Sequence, residues 1–120
     1  MKVLFNEAGV PLAKLIYETQ KAGGFHMIKI VAKMPVKQGE LENFKALTTD
    51  LIAKSRAEEG NVFYSLNQSL DDPQVLAFIE CWKDQAAIDI HNATEHFTGT
   101  FPKLLELCDG EPAVMLFEEL

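Results

Sequence analysis

Apolar residues recur at every second position from Met27 to Val36. Ile28, Ile30, Ala32 and Met34 point one way and Val31 the other, which predicts a strand closed at Pro35. From Gln38 to Glu59 the period changes to that of a helix. Leu41, Phe44, Leu47, Leu51, Ile52 and Ser55 fall near one stripe with charges opposite, and Glu58-Glu59-Gly60-Asn61 ends it. Val62, Tyr64 and Leu66 then alternate with Phe63, Ser65 and Asn67 in a second strand. After an Asp71-Asp72-Pro73 turn, Gln74 to Trp82 is apolar on both faces, the mark of a central strand.

Asp84 is placed to cap a helix from Gln85 to about His91. Asn92 or Thr94 caps a second short piece, and a third runs from about Phe101 to Cys108. Asp109-Gly110 stops it before a last strand, Ala113 to Phe117. The order β-α-β-β-α-β, with its second helix in pieces, is the ferredoxin-like α+β arrangement of an antiparallel sheet with helices on one face. Val75, Ala77, Ile79 and Cys81 make one apolar face of the central strand, and Leu76, Phe78 and Trp82 the other. Helices cover only one of these, so a second copy of the sheet is the expected cover for the other, which predicts a homodimer.

Residues 1–26 read as a separate extension. Pro11 opens an amphipathic stretch with Leu12, Leu15, Ile16 and Thr19 on one face, and Gly23-Gly24 ends it. Two readings stand: a short helix docked on the domain or a neighbouring subunit, or a non-native leader ahead of Met27. The remaining residues, 27–120, make one domain.

Composition narrows the classes of function. A net charge of −7 over 120 residues argues against nucleic acid, whose phosphates need a basic surface, and gives an anionic membrane nothing to attract. The longest apolar run, Val75 to Ile79, is far too short to span a bilayer. Two cysteines, one of them inside that strand, suit a reducing cytoplasm rather than a disulfide framework. There is no phosphate-binding loop, no nucleophile elbow and no dinucleotide fingerprint, so no bound cofactor is expected.

The chemistry concentrates after the central strand. His91 lies three residues after Ile88 and faces inward, and either His91 or His96 could act as a base near neutral pH. A spacing of five does not suit a helical zinc site and no carboxylate presents itself as a third ligand, so no metal is expected. A ring packed in the core, with one nitrogen hydrogen-bonded, is the plainer reading of each histidine. Trp82, with Phe97 and Phe101 nearby in sequence, could wall a flat ligand, although aromatics at such positions are more often plain core. Asn61, Tyr64 and Asn67 are the polar groups of the second strand, and the Tyr64 hydroxyl could equally meet a ligand or a backbone carbonyl. Glu80 is costly in an apolar strand unless it pairs with a lysine or histidine or reaches solvent.

In order and spacing these segments resemble the antibiotic-biosynthesis monooxygenase-like (ABM) domains, from about Met27 to Leu120. The resemblance runs through Pro35-Val36-Lys37-Gln38-Gly39, Glu58-Glu59-Gly60-Asn61 with Tyr64, Ile79-Glu80-Cys81-Trp82-Lys83-Asp84, Ala86-Ala87-Ile88 with His91, and Thr94-Glu95-His96-Phe97. It implies a dimeric α+β barrel that oxidises a small phenol or quinol with dioxygen and no cofactor. On that model His91 or His96 serves the phenolate, Trp82 shapes the pocket, and Tyr64 or Asn61 orients oxygen atoms. Other members process a phosphorylated autoinducer signal, for which Lys29, Lys33, Lys83 and Lys103 are candidate anion contacts. A non-catalytic ligand-binding dimer is the third reading. Haem degradation is disfavoured, because the first strand has no asparagine and Trp82 is the only tryptophan.

Overall fold

A computed structural model describes residues 27–120. The helix expected within residues 1–26 lies outside the described residues. In chain order the elements are β1 (Ile28–Pro35), α1 (Leu41–Arg56), β2 (Asn61–Gln68), β3 (Val75–Trp82), α2 (Gln85–Ala93), α3 (Glu95–Thr98), α4 (Phe101–Glu106) and β4 (Ala113–Glu118). The strands form one antiparallel sheet in the order β2-β3-β1-β4, so β3 is internal as its two apolar faces require. This is the expected ferredoxin-like fold.

Register explains the core. Ile30 lies between Glu80 and Leu116, and Ala32 between Phe78 and Val114, so alternate residues of all the strands share the face under the helices. Phe44, Thr48, Leu51 and Ser55 of α1 are buried against that face, while Leu41, Leu47 and Ile52 flank them half-buried. The opposite face carries Val31, Phe63, Ile79, Met115 and Phe117. Nothing in the chain's described residues covers it, and Phe63, Ile79 and Phe117 are exposed there.

The first helix is shorter than its apolar period predicts, beginning at Leu41 and ending at Arg56. Gly39 adopts φ 84°, a left-handed turn that delays entry. At the other end, Ala57 caps the helix and residues 58–60 turn directly into β2. That early exit decides where Glu58 goes.

Candidate functional site

Four local contacts bring the chemistry together. Arg56 Nε donates to the Tyr64 carbonyl at 2.9 Å, tying the end of α1 to β2. Gly60 then lets α2 rest on bare backbone, since a Cβ there would lie 2.3 Å from the Ala87 Cβ. Asp84 Oδ1 accepts from the Ala87 amide at 2.8 Å and starts α2, whose inner face carries Ala87, Ile88 and His91. Thr94, whose hydroxyl accepts from the Phe97 amide, begins α3 and turns His96 back toward His91.

At the meeting point stands Glu58. Its Oε2 is 2.6 Å from His91 Nδ1 and 2.9 Å from His96 Nε2. One carboxylate oxygen thus serves two rings, and each ring must present N–H to it. The pair is held as the Nδ1–H form of His91 and the Nε2–H form of His96, leaving His91 Nε2 and His96 Nδ1 as the nitrogens able to take a proton. Burial pushes the His91 imidazolium pKa below its usual value, against the pull of Glu58.

Aromatic rings close around His91. Its ring centroid lies 4.5 Å from that of Trp82, 5.0 Å from Phe97 and 5.6 Å from Tyr64, and Phe97 stacks on Phe101 at 5.0 Å. Trp82 is wholly buried and His91 nearly so. The Tyr64 hydroxyl is held well above its ordinary pKa, first by burial and then by the charge of Glu80, so it stays protonated. Ser55 sits near that hydroxyl without a hydrogen bond of normal geometry.

Glu80 finds neither lysine nor solvent. It is buried on the helix side of β3, and its Oε1 accepts from Trp82 Nε1 at 2.8 Å. Burial raises its pKa from 4.5 to about 7, with the indole N–H opposing and Glu58 adding to the rise. An acid whose pKa is raised on folding stabilises most below its unfolded value, and that stability is lost as pH rises through the folded one. Between pH 4.5 and about 7, ionisation of Glu80 therefore costs about 3 kcal/mol. His91 works in the opposite sense, since its lowered pKa adds stability that is lost as pH falls below 6.5. Glu80→Gln keeps an acceptor for Trp82 but cannot ionise. Urea unfolding at pH 8 is expected to show it more stable than the parent by about 1–3 kcal/mol, with the gap closing at pH 5. A gap independent of pH would disprove this account.

The structure thus gathers His91, His96, Trp82, Tyr64, Glu80 and Phe97 around one point. It takes Asn61 elsewhere: the side-chain amide donates to the carbonyls of Phe63 and Cys81 and pins the irregular start of β2. Sequence reasoning gives Glu58 no role at the site, although its segment reads both as a helix end and as part of the family resemblance. A carboxylate in the turn ahead of a strand is the one signal that could have drawn notice.

Glu58 also corrects the expectation that no carboxylate joins the two imidazoles. The three ligand atoms lie within 4.8 Å of one another. Metal–ligand bonds of about 2.0–2.2 Å would hold tetrahedral ligand atoms about 3.4 Å apart. Both N···O contacts are shorter than that, the spacing of a hydrogen-bonded cluster. On its outer side Glu58 lines a groove of about 330 Å³ together with Gly60, Lys83, Ala86, Ala87 and Ile90.

Comparison with known proteins follows the same outline. A family model described as antibiotic biosynthesis monooxygenase matches residues 27–103. The chain is 40% identical over 81 residues to the Bacillus subtilis protein named "Putative monooxygenase YcnE", covering 68% of this chain and 85% of that one. A conserved protein from Methanosarcina mazei superposes with a TM-score of 0.77 at 33% identity, over 80% of this chain and 95% of its own. A crystal structure of an antibiotic biosynthesis monooxygenase gives 0.74 at 33% identity, over 78% and 98% respectively.

Proposed function

This chain belongs to the antibiotic biosynthesis monooxygenase family, and from that premise we propose that it oxidises a small phenol or quinol with dioxygen, as a homodimer and without a bound cofactor. The observation that carries the reading is the doubly hydrogen-bonded Glu58. It holds two imidazoles in defined tautomers, each with a free nitrogen, beside an indole and a phenyl ring. That is an arrangement suited to taking a proton from an acidic hydroxyl.

The protein's tasks are to bind, deprotonate and shield. A phenolate is a far better reductant than the phenol, so removing the proton readies the ring for dioxygen. A quinol and dioxygen then give a hydroxylated quinone and one water, with one oxygen atom forming the new carbon–oxygen bond and the substrate supplying every electron. Burial keeps His91 neutral to lower pH than an ordinary histidine. The acidic limb of kcat/KM is therefore expected below pH 6.5.

The outer sheet face supports the dimer. Val31, Ile79, Met115 and Phe117 form an apolar surface flanked by Lys29 and Lys33, and a second copy of the same face is the simplest complement. Ile79→Asp is expected to convert the dimer to monomer in sedimentation, while a parent protein that sediments as a monomer would refute the assembly. For the reaction, an oxygen electrode with a panel of mono- and bicyclic quinols should record uptake above autoxidation, stoichiometric with quinone formed. His91→Ala should lower kcat/KM by about 10²–10⁴-fold. Uptake no faster than without protein, across the panel, would end the proposal.

A further inference from the structure

The register of β1 fixes where residues 1–26 join the domain. Ile28 pairs with Trp82, and Trp82 pairs on its other side with Asn61. One residue further along, the Lys83 amide donates to the Gly60 carbonyl at 3.0 Å. Lys83 and Gly60 both line the groove of about 330 Å³ between the turn after α1 and the start of α2. Only two strand spacings of about 4.8 Å separate β1 from β2, so the extension leaves the domain beside this groove.

Groove and extension are complementary in two respects. Ala86 and Ile90 stand one turn apart on the open side of α2, and Ile90 is 65% exposed. In the extension Leu12, Leu15 and Ile16 recur at helical spacing and form an apolar stripe able to cover them. The groove's rim sets Glu59 and Asp84 against one cation, Lys83. Residues 1–26 hold three lysines and two glutamates, a net charge of +1, which leaves −8 for residues 27–120 out of a total of −7. Opposite charges of this kind favour association within one chain. The eight residues from Thr19 to Met27 extend to about 26 Å at most, enough to double back, and Gly23-Gly24 supplies the freest backbone for the reversal. The outer sheet face is the other apolar surface, but it carries Lys29 and Lys33 and would meet a lysine-bearing segment with like charge.

We propose that residues 12–19 dock in this groove on their own chain, with Leu12, Leu15 and Ile16 on Ala86 and Ile90 and the segment's positive charge over the acidic rim. The extension then covers the outer surface of α2. This contact goes beyond the oxygenase reading and does not depend on it.

The test uses the full chain with a nitroxide on Glu18→Cys, a position away from the apolar stripe. Cys81 and Cys108 are buried and closed to the reagent. In ¹H–¹⁵N spectra the amides of Gly60, Ala87 and Ile90 should lose more than half their intensity relative to the reduced label. Asn67 and Ser69, beyond the far end of the β2–β3 ladder, should keep theirs. Leu15→Asp added to the labelled chain should restore the lost signals, and so should Ile90→Asp, which leaves the core intact because Ile90 is exposed. A ¹⁵N chain without label, mixed and exchanged with labelled ¹⁴N chain, should show no loss. Loss there would assign the contact to a second copy and overturn docking on the same chain. Loss centred on Asn67 and Ile79, no localised loss, or loss that survives Ile90→Asp would overturn it equally. None of these readouts depends on turnover.

Discussion

Changing Trp82 to alanine will destabilise the fold by about 4 kcal/mol in urea unfolding, the largest effect expected of any single substitution in the cluster. The indole is wholly buried and touches Tyr64 and His91 through its ring. Deleting it opens a cavity that flanking strands cannot collapse to fill. It also removes the N–H that opposes the rise in the Glu80 pKa, so Glu80 in the variant should titrate higher than in the parent. Trp82→Phe separates the two losses. It keeps most of the packing and drops only the donor, and should cost about 1–2 kcal/mol, mainly above pH 7 where Glu80 is charged. A loss below about 1.5 kcal/mol for Trp82→Ala would show that the indole does not sit in a closed core.

Glu58→Gln is expected to lower kcat/KM for a quinol by about 10²-fold, and to move its acidic limb further down. The sign follows from the causes of the His91 shift. Burial lowers that pKa, while the hydrogen bond and charge of Glu58 raise it. Removing the charge leaves burial unopposed, so the ring protonates only at still lower pH. An amide can also turn its NH₂ toward one ring and so release the tautomer. Glu58→Ala goes further, leaving two N–H groups in a part-buried site without an acceptor. It should cost about 3 kcal/mol of stability. Histidine ¹⁵N shifts read the tautomers directly. If they are unchanged in Glu58→Gln, then packing rather than the carboxylate sets the rings.

Much of this molecule was legible as pattern. The alternation in Ile28 to Met34 placed four side chains under the helices, because a strand turns successive residues to opposite faces. The two-sided apolar run of β3 put it inside the sheet, and Asp84 capped the helix it precedes. Of the two candidates Asn92 and Thr94, the structure uses Thr94. Those features depend on neighbours a few residues apart, where backbone geometry leaves little choice. Ranges were less legible. Gly39 and the turn at 57–60 trimmed α1 at both ends, overriding a period that ran on through Glu59.

The local sequence by itself determined the element order, the face each strand residue presents and the presence of two histidines after a tryptophan. Only the tertiary structure decided that Glu58, 33 residues before His91 and 38 before His96, is their common partner. It likewise turned Glu80 inward to Trp82 and tied the Asn61 side chain to the backbone of its own strand at Phe63 and of β3 at Cys81. The physical reason is the range of the forces involved. Backbone periodicity is written in adjacent residues, whereas a hydrogen bond across the core exists only once α1, β3 and α2 have packed together. Until then a glutamate at a helix end looks like any solvated charge.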